Sequence, residues 1–325
     1  MHLTLAIPGL LALDPAVLAA APSLGRLAHY ADKPVARRGS LDAFVTGASA
    51  GTAALAALGA GLDPGQAYVL RADPVSLVAG RNDVALAARI DDLDVDEAGA
   101  MLATLNAHFA DDGLTFRAPR PDAWFILQDV APDLTTTPLA AVHGAIYPWL
   151  PAGGDAPRWR RWLSEMQMLL HAHPANAARE ARGRVAVTGV WISDGGRIAE
   201  IPQGSATAVF APAGNDGDLA RGLARLRATA AALPPGSFAA LPAQDTATVV
   251  LERATPPSAP RLLADWLDPA VAALERGALA SLSLFADGDG HAAAWHAARP
   301  AWRLRALARM TGSSFAPPAR GEDDA

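Results

Sequence analysis

The feature that most constrains the fold is the alternation of strand-like and helix-like segments from Val185 onward. The apolar runs VAVTGVWIS, TAVFAP, TATVVLER and ASLSLFA read as strands, and the stretches DLARGLARLRATAAAL and RLLADWLDPAVAALERG that alternate with them read as helices. Apolar runs without strict alternation belong to strands buried on both faces, and strand–helix alternation supplies the crossovers that parallel strands need. The pattern predicts an α/β core with a mostly parallel sheet. The first residues add a buried strand, Leu3 to Ile7, followed by a helix. No Lys or Arg precedes that apolar run, and Pro8 and Asp14 interrupt it, so it reads as a strand and not as a secretory leader.

From Tyr68 to Asp129 the rhythm changes. YVLRADPVSL and DVALAARI read as strands, and Asp94 with Glu97 opens the helix VDEAGAMLATLNAHFAD as a capping box. LTFRAP and AWFILQD then supply two more strands. This ββαββ order predicts an α+β cap domain over residues 68–137, inserted into an α/β core made of 1–67 and 138–325. The boundary falls at Thr135–Thr137. Before it, SAGTAALAALGAGLDPG is a Gly/Ser turn into a short helix closed by glycines and Pro64. It reads as a plain turn or as a helix N-terminus that receives an anion.

With 325 residues, 51% apolar and 18% charged, the chain can bury both a core and an insertion. A net charge of -6 without a basic tract gives nucleic acid no field to follow. There is no cysteine, which removes disulfides, thiolate metal sites and cysteine nucleophiles. No uncharged apolar run is long enough to span a bilayer, so a globular, cytoplasmic protein without a membrane partner is expected. G-x-S-x-G, Walker, G-x-G-x-x-G and H-E-x-x-H patterns are all missing.

Several polar groupings admit two readings. In LLHAHPANAARE, His173, Asn176 and Arg179 fall on consecutive turns, if the chain is helical after Pro174. Arg grips a phosphate or carboxylate bidentately and Asn orients it; alternatively Pro174 restarts a helix and the polar groups bind backbone. Asp194, in GVWISDGGR, is either a ligand contact at a strand end or part of a Gly turn. The Arg158, Arg160 and Arg161 cluster reads as a solvated helix face. Asp287, Asp289, His291 and His296 in ADGDGHAAAWH read as a hairpin or, less simply, as metal ligands.

In order and spacing, LAALGAGLDP, YVLRADPVSL, ATLNAHF, DLTTTPLAAVHG and MLLHAHPANAAREARGRVAVTGVWISDGGR resemble motifs of the archaeal-type cofactor-independent phosphoglycerate mutases. Among them, the bacterial branch of RpfE-type regulatory proteins is nearest. The resemblance covers about two-thirds of the chain and is best from Tyr68 to Arg197. It implies an alkaline-phosphatase-like core with a cap, a two-metal site and a phosphorylated Ser nucleophile. It also implies that Arg71, His173, Asn176, Arg179 and Asp194 are substrate-binding.

The chain departs from that family's pattern at the catalytic positions. Pro8 stands where the family has a metal-ligating Asp after the first strand. Ala50 takes the nucleophile's place, Gly51 replaces the Asp beside it, and Ser49 is one residue off. RATPPSAP replaces a His/Asp loop, and ADGDGH is a poor counterpart of the last Asp-His motif. The expectation is a protein without metal cofactor or mutase chemistry, which acts as a regulator or binds a small phosphorylated metabolite or a protein partner. The alternative is a metal-dependent mutase or phosphatase with ligands relocated to Asp287, Asp289, His291 and His296.

Overall fold

A computed structural model of the protein describes residues 1–38, 45, 47, 51–80, 83–142, 144–202, 207–288 and 291–299. In chain order its elements are β1 (His2–Ile7), α1 (Pro15–Ala19), α2 (Pro22–Tyr30), β2 (Val35–Arg38), α3 (Thr52–Ala60), β3 (Tyr68–Ala79), β4 (Val84–Arg89) and α4 (Val95–His108). Next come β5 (Thr115–Arg120), β6 (Ala123–Gln128), α5 (Ala156–His171), α6 (Pro174–Ala181), β7 (Gly189–Gly196), β8 (Ala208–Phe210), α7 (Asn215–Leu226) and β9 (Ala231–Ala232). The series closes with β10 (Thr246–Val250), α8 (Ala259–Leu262), α9 (Asp268–Arg276), β11 (Ser281–Gly288) and β12 (His291–Ala298). Two compact units result, Met1–Gly47 with Gln203–Ala325, and Ala48–Pro202. No helix of the described residues is long and apolar enough to cross a membrane.

The first unit is the expected α/β core. Its sheet runs β2-β12-β11-β1-β10-β8-β9, parallel from β11 to β9, with the antiparallel β12 and β2 at one edge. Strand β1 sits in the middle. Its Leu3, Leu5 and Ile7 pack with residues of α2 and α9, while Ala6 points to the other face, where Ala220 and Ala224 of α7 lie. Burial on both faces explains why these strands read as continuous apolar runs. The helix expected over DLARGLARLRATAAAL ends early. Ala228 adopts a left-handed φ of 52° and the Thr229 N–H returns to the Ala224 carbonyl, so the chain turns and Ala231–Ala232 becomes the edge strand β9. Helices α8 and α9 are joined by a π turn, Leu263–Leu267. Pro269 lies just beyond it and has no N–H to bond the preceding turn.

The second unit holds an antiparallel sheet, β4-β3-β6-β5, with β7 on the free edge of β3. Helices α4 and α5 cover one face through Met101, Leu105, Trp159, Trp162 and Met166. Helix α3, built mainly of Ala, Leu and Gly and buried over most of its surface, covers part of the other. GVWIS was expected in the parallel core; it pairs instead with β3 over Val69–Val75. For that reason the unit spans 48–202, wider than the 68–137 segment expected from the sequence, since α5 and α6 pack with β7 on this sheet.

Candidate functional site

Strand β3 organises the second unit. Strand β7 follows one edge, while β6 takes the other edge at Tyr68–Arg71 and β4 takes it at Val75–Ala79. Pro74 falls in the gap between β6 and β4, and its carbonyl accepts from Ile90 N across that edge. Leu70 and Ala72 enter the core under α4 and α5. By the two-residue period, Val69, Arg71, Asp73 and Val75 share the opposite face. Helix α3 covers Val69 and Phe125 there, and Arg71 and Asp73 continue the same face along the strand.

On this face charges converge. Arg71 Nη2 lies 3.6 Å and Arg89 Nη2 3.3 Å from Asp73 Oδ1, so two guanidiniums share one buried carboxylate oxygen. Arg89 arrives because it pairs with Val75, and Ser193 arrives opposite Arg71. A β-bulge then places Asp194. Val69 faces Gly196 and Arg71 faces Ser193, which sets Asp194 and Gly195 against Leu70 alone. Asp194 takes a φ of 57°, a left-handed conformation that Asp tolerates better than most residues. A Cβ on Gly195 would collide with the Tyr68 hydroxyl, which explains the glycine after it.

Ser193 Oγ donates to Asp194 Oδ2 at 3.0 Å. Burial pushes the Asp194 carboxyl above the usual carboxylate range; the Arg71 charge and the Ser193 bond pull it back only in part, and Asp73 pushes it further up. Two arginine forks, a hydroxyl and a carboxyl of raised pKa on one sheet face can hold an anion and donate to it.

The other candidates form a separate group, held by the protein itself. His173 caps α6, its Nδ1 accepting from Ala175 N at 3.2 Å with Pro174 in the first turn. Asn176 is buried. Its Nδ2 donates to Leu170 O and Val187 O at 2.7 Å each, and its Oδ1 accepts from Val187 N at 2.9 Å. Arg179, with no exposed surface, donates to Val185 O at 2.9 Å, to Glu97 Oε2 at 2.6 Å and to Asp92 Oδ1 at 2.5 Å. Burial opposes its charge, but the two carboxylates more than offset that and raise its pKa. Arg182 and Arg184 also reach Glu97. The motif His-Pro-x-Asn-x-x-Arg thus joins α5, α6 and α4, as a helix restart does.

Asp73, Arg89, Ser193 and Asp92 do not stand out in the sequence, and Glu97 is legible there only as a cap. Arg71 and Asp73 at i and i+2 on one strand were a usable signal. Arg89 required the register of the β3–β4 pair, which the sequence does not state.

In the first unit, ADGDGHAAAWH forms the hairpin β11–β12, with Gly288 opposite His291 and Ser283 opposite His296. Alternation puts His291 on the face opposite Asp287, and His296 at the far end of the hairpin. Asp287 Oδ1 accepts from Gly9 N at 2.6 Å, and Arg253 Nη1 lies 3.9 Å from it. An arginine beside the carboxyl ends of β1, β10 and β11 opposes a dication, and among the described residues no group of three metal-ligating side chains converges. These residues do not fit the two-metal site that the resemblance implies. Asp289, Ser49 and Ala50 lie outside the described residues.

No family model matches the chain, and no curated protein matches it. Among solved structures it is similar to a cofactor-independent phosphoglycerate mutase from Thermoplasma acidophilum DSM 1728. The identity is 15%, coverage is 92% of this chain and 90% of that one, and the TM-score is 0.41. It is also similar to the PH0037 protein from Pyrococcus horikoshii, at 15% identity over 91% of this chain and 87% of that one, with a TM-score of 0.46.

Proposed function

We propose that this chain is a phosphoglycerate-mutase-like binding protein of the regulatory, RpfE-type kind, which takes a small phosphorylated carboxylate on the β3–β4–β7 face and does not carry out phosphoryl transfer. The observation that carries this reading is the convergence of Arg71 and Arg89 on one oxygen of Asp73. A ligand phosphate or carboxylate competes with Asp73 for the two forks, because each fork matches planar or tetrahedral oxygens better than a single shared atom at 3.3 and 3.6 Å. Asp194, protonated over a wider pH range than an ordinary Asp, donates to a ligand oxygen, and Ser193 orients it.

In this reading Asn176 and Arg179 hold the face in place and do not touch ligand, since their donors are committed inside the protein. The absence of transfer chemistry rests on Pro8 at the end of β1 and on Arg253 beside Asp287. The test is thermal unfolding with 3-phosphoglycerate and with inorganic phosphate. A ligand selective for the folded state raises the midpoint. The expected result is a concentration-dependent rise that Arg89→Ala removes and Arg158→Ala leaves unchanged. A rise that survives Arg89→Ala places the ligand elsewhere and refutes the assignment.

A further inference from the structure

We propose that the first unit carries a binding site for a small protonated amine, in a cavity of about 490 Å³ at the carboxyl ends of β8, β9 and β10. These three strands are neighbours and parallel, so their carboxyl ends open on one edge of the sheet. In open α/β sheets that edge is where ligands bind, and the volume suits a small organic molecule.

Each strand contributes a wall. Pro212 follows β8, Pro234 and Pro235 follow β9, Leu251 follows β10, and the buried Trp266 closes the space. Trp266 and Asp265 reach the cavity from the π turn between α8 and α9, a local widening that often marks a binding site. Rigid proline and tryptophan surfaces select a flat apolar body at little cost in side-chain entropy.

The polar lining decides the charge of the occupant. Asp265 and Arg261 neutralise each other through a 3.2 Å contact, and Ser258 is engaged with Thr255. What is left is Glu252, just past the end of β10. Among the described residues it has no hydrogen bond or ion pair. A carboxylate beside an apolar wall loses part of its water to any occupant, and a cationic head restores the interaction. The site therefore takes an amine with an aromatic or compact aliphatic body. It is independent of the anion-binding face of the other unit.

The experiment is calorimetric titration of the full chain with phenethylamine, and with 3-phenylpropanoate as a matched anion. The expected result is saturable binding of phenethylamine, at least tenfold weaker in Glu252→Gln, and preference for the propanoate in Glu252→Lys. Glu252 is exposed, so both variants keep the fold. No saturable binding of the amine, equal binding of amine and propanoate by the unaltered protein, or amine binding indifferent to Glu252→Gln would overturn the proposal.

Discussion

Replacing Arg179 by Met separates a structural arginine from a ligand-gripping one. Met keeps the apolar stem and removes three donors, those to Val185 O, Glu97 Oε2 and Asp92 Oδ1. Breaking a buried ion pair by deleting one partner costs about 3–5 kcal/mol, because the other charge stays buried. Two facts place this case at the lower end. Asp92 is half exposed and regains water, while Glu97 keeps Arg182 and has Arg184 Nη1 at 3.8 Å. The expected loss is about 3 kcal/mol, which in a unit of this size lowers the thermal midpoint by roughly 6–12 °C. Denaturant titration followed by tryptophan fluorescence reads it directly, since Trp159 and Trp162 lie in the same packed unit. A cycle with Glu97→Gln should show coupling of about 0.5–3 kcal/mol. A loss below about 1 kcal/mol, together with lost phosphoglycerate binding, would refute the structural role and return Arg179 to the ligand.

Asn176→Ala should cost about 2–3 kcal/mol in denaturant titration, since three buried backbone groups lose their partner at once. Trp159→Ala, which empties a fully buried indole from the α5 packing face, should cost about 3–5 kcal/mol in the same assay. Asp194→Asn should act through pH. The folded carboxyl pKa is raised, so the folded state favours the proton; the contribution is most favourable in acid and declines as pH rises from the ordinary Asp value through the folded one. The Asn variant escapes that decline. Its stability relative to the unaltered protein should rise between pH 3 and neutrality, and unfolding curves across that range that stay parallel would count against the burial argument.

The elements were largely legible in the sequence, because their signals are local. The Asp94–Glu97 capping box starts α4 with both reciprocal bonds, and Pro174 restarts a helix after His173. The apolar runs of β1, β10 and β11 also carried their own burial pattern. What was not legible was pairing. Nothing local in GVWIS distinguishes a parallel core strand from one laid antiparallel along β3, and that single difference moved α5, α6 and β7 into the second unit. The site suffered from the same limit. Arg71 and Asp194 were visible as polar residues in strands, but Asp73 and Arg89 meet only through register, and the bulge at Asp194–Gly195 exists only once β3 is its partner. Arg179 looked like a phosphate grip because its carboxylate partners are 82 and 87 residues away in sequence.

In the proposed function an anionic ligand binds between Arg71 and Arg89 without a metal. This is tested most directly by calorimetric titration of 3-phosphoglycerate into the full chain in excess chelator, beside Arg89→Ala. One site per chain in the chelated protein and at least a tenfold loss of affinity in the variant are expected. Binding that appears only when Mn²⁺ or Zn²⁺ is restored, or that Arg89→Ala leaves intact, would contradict it.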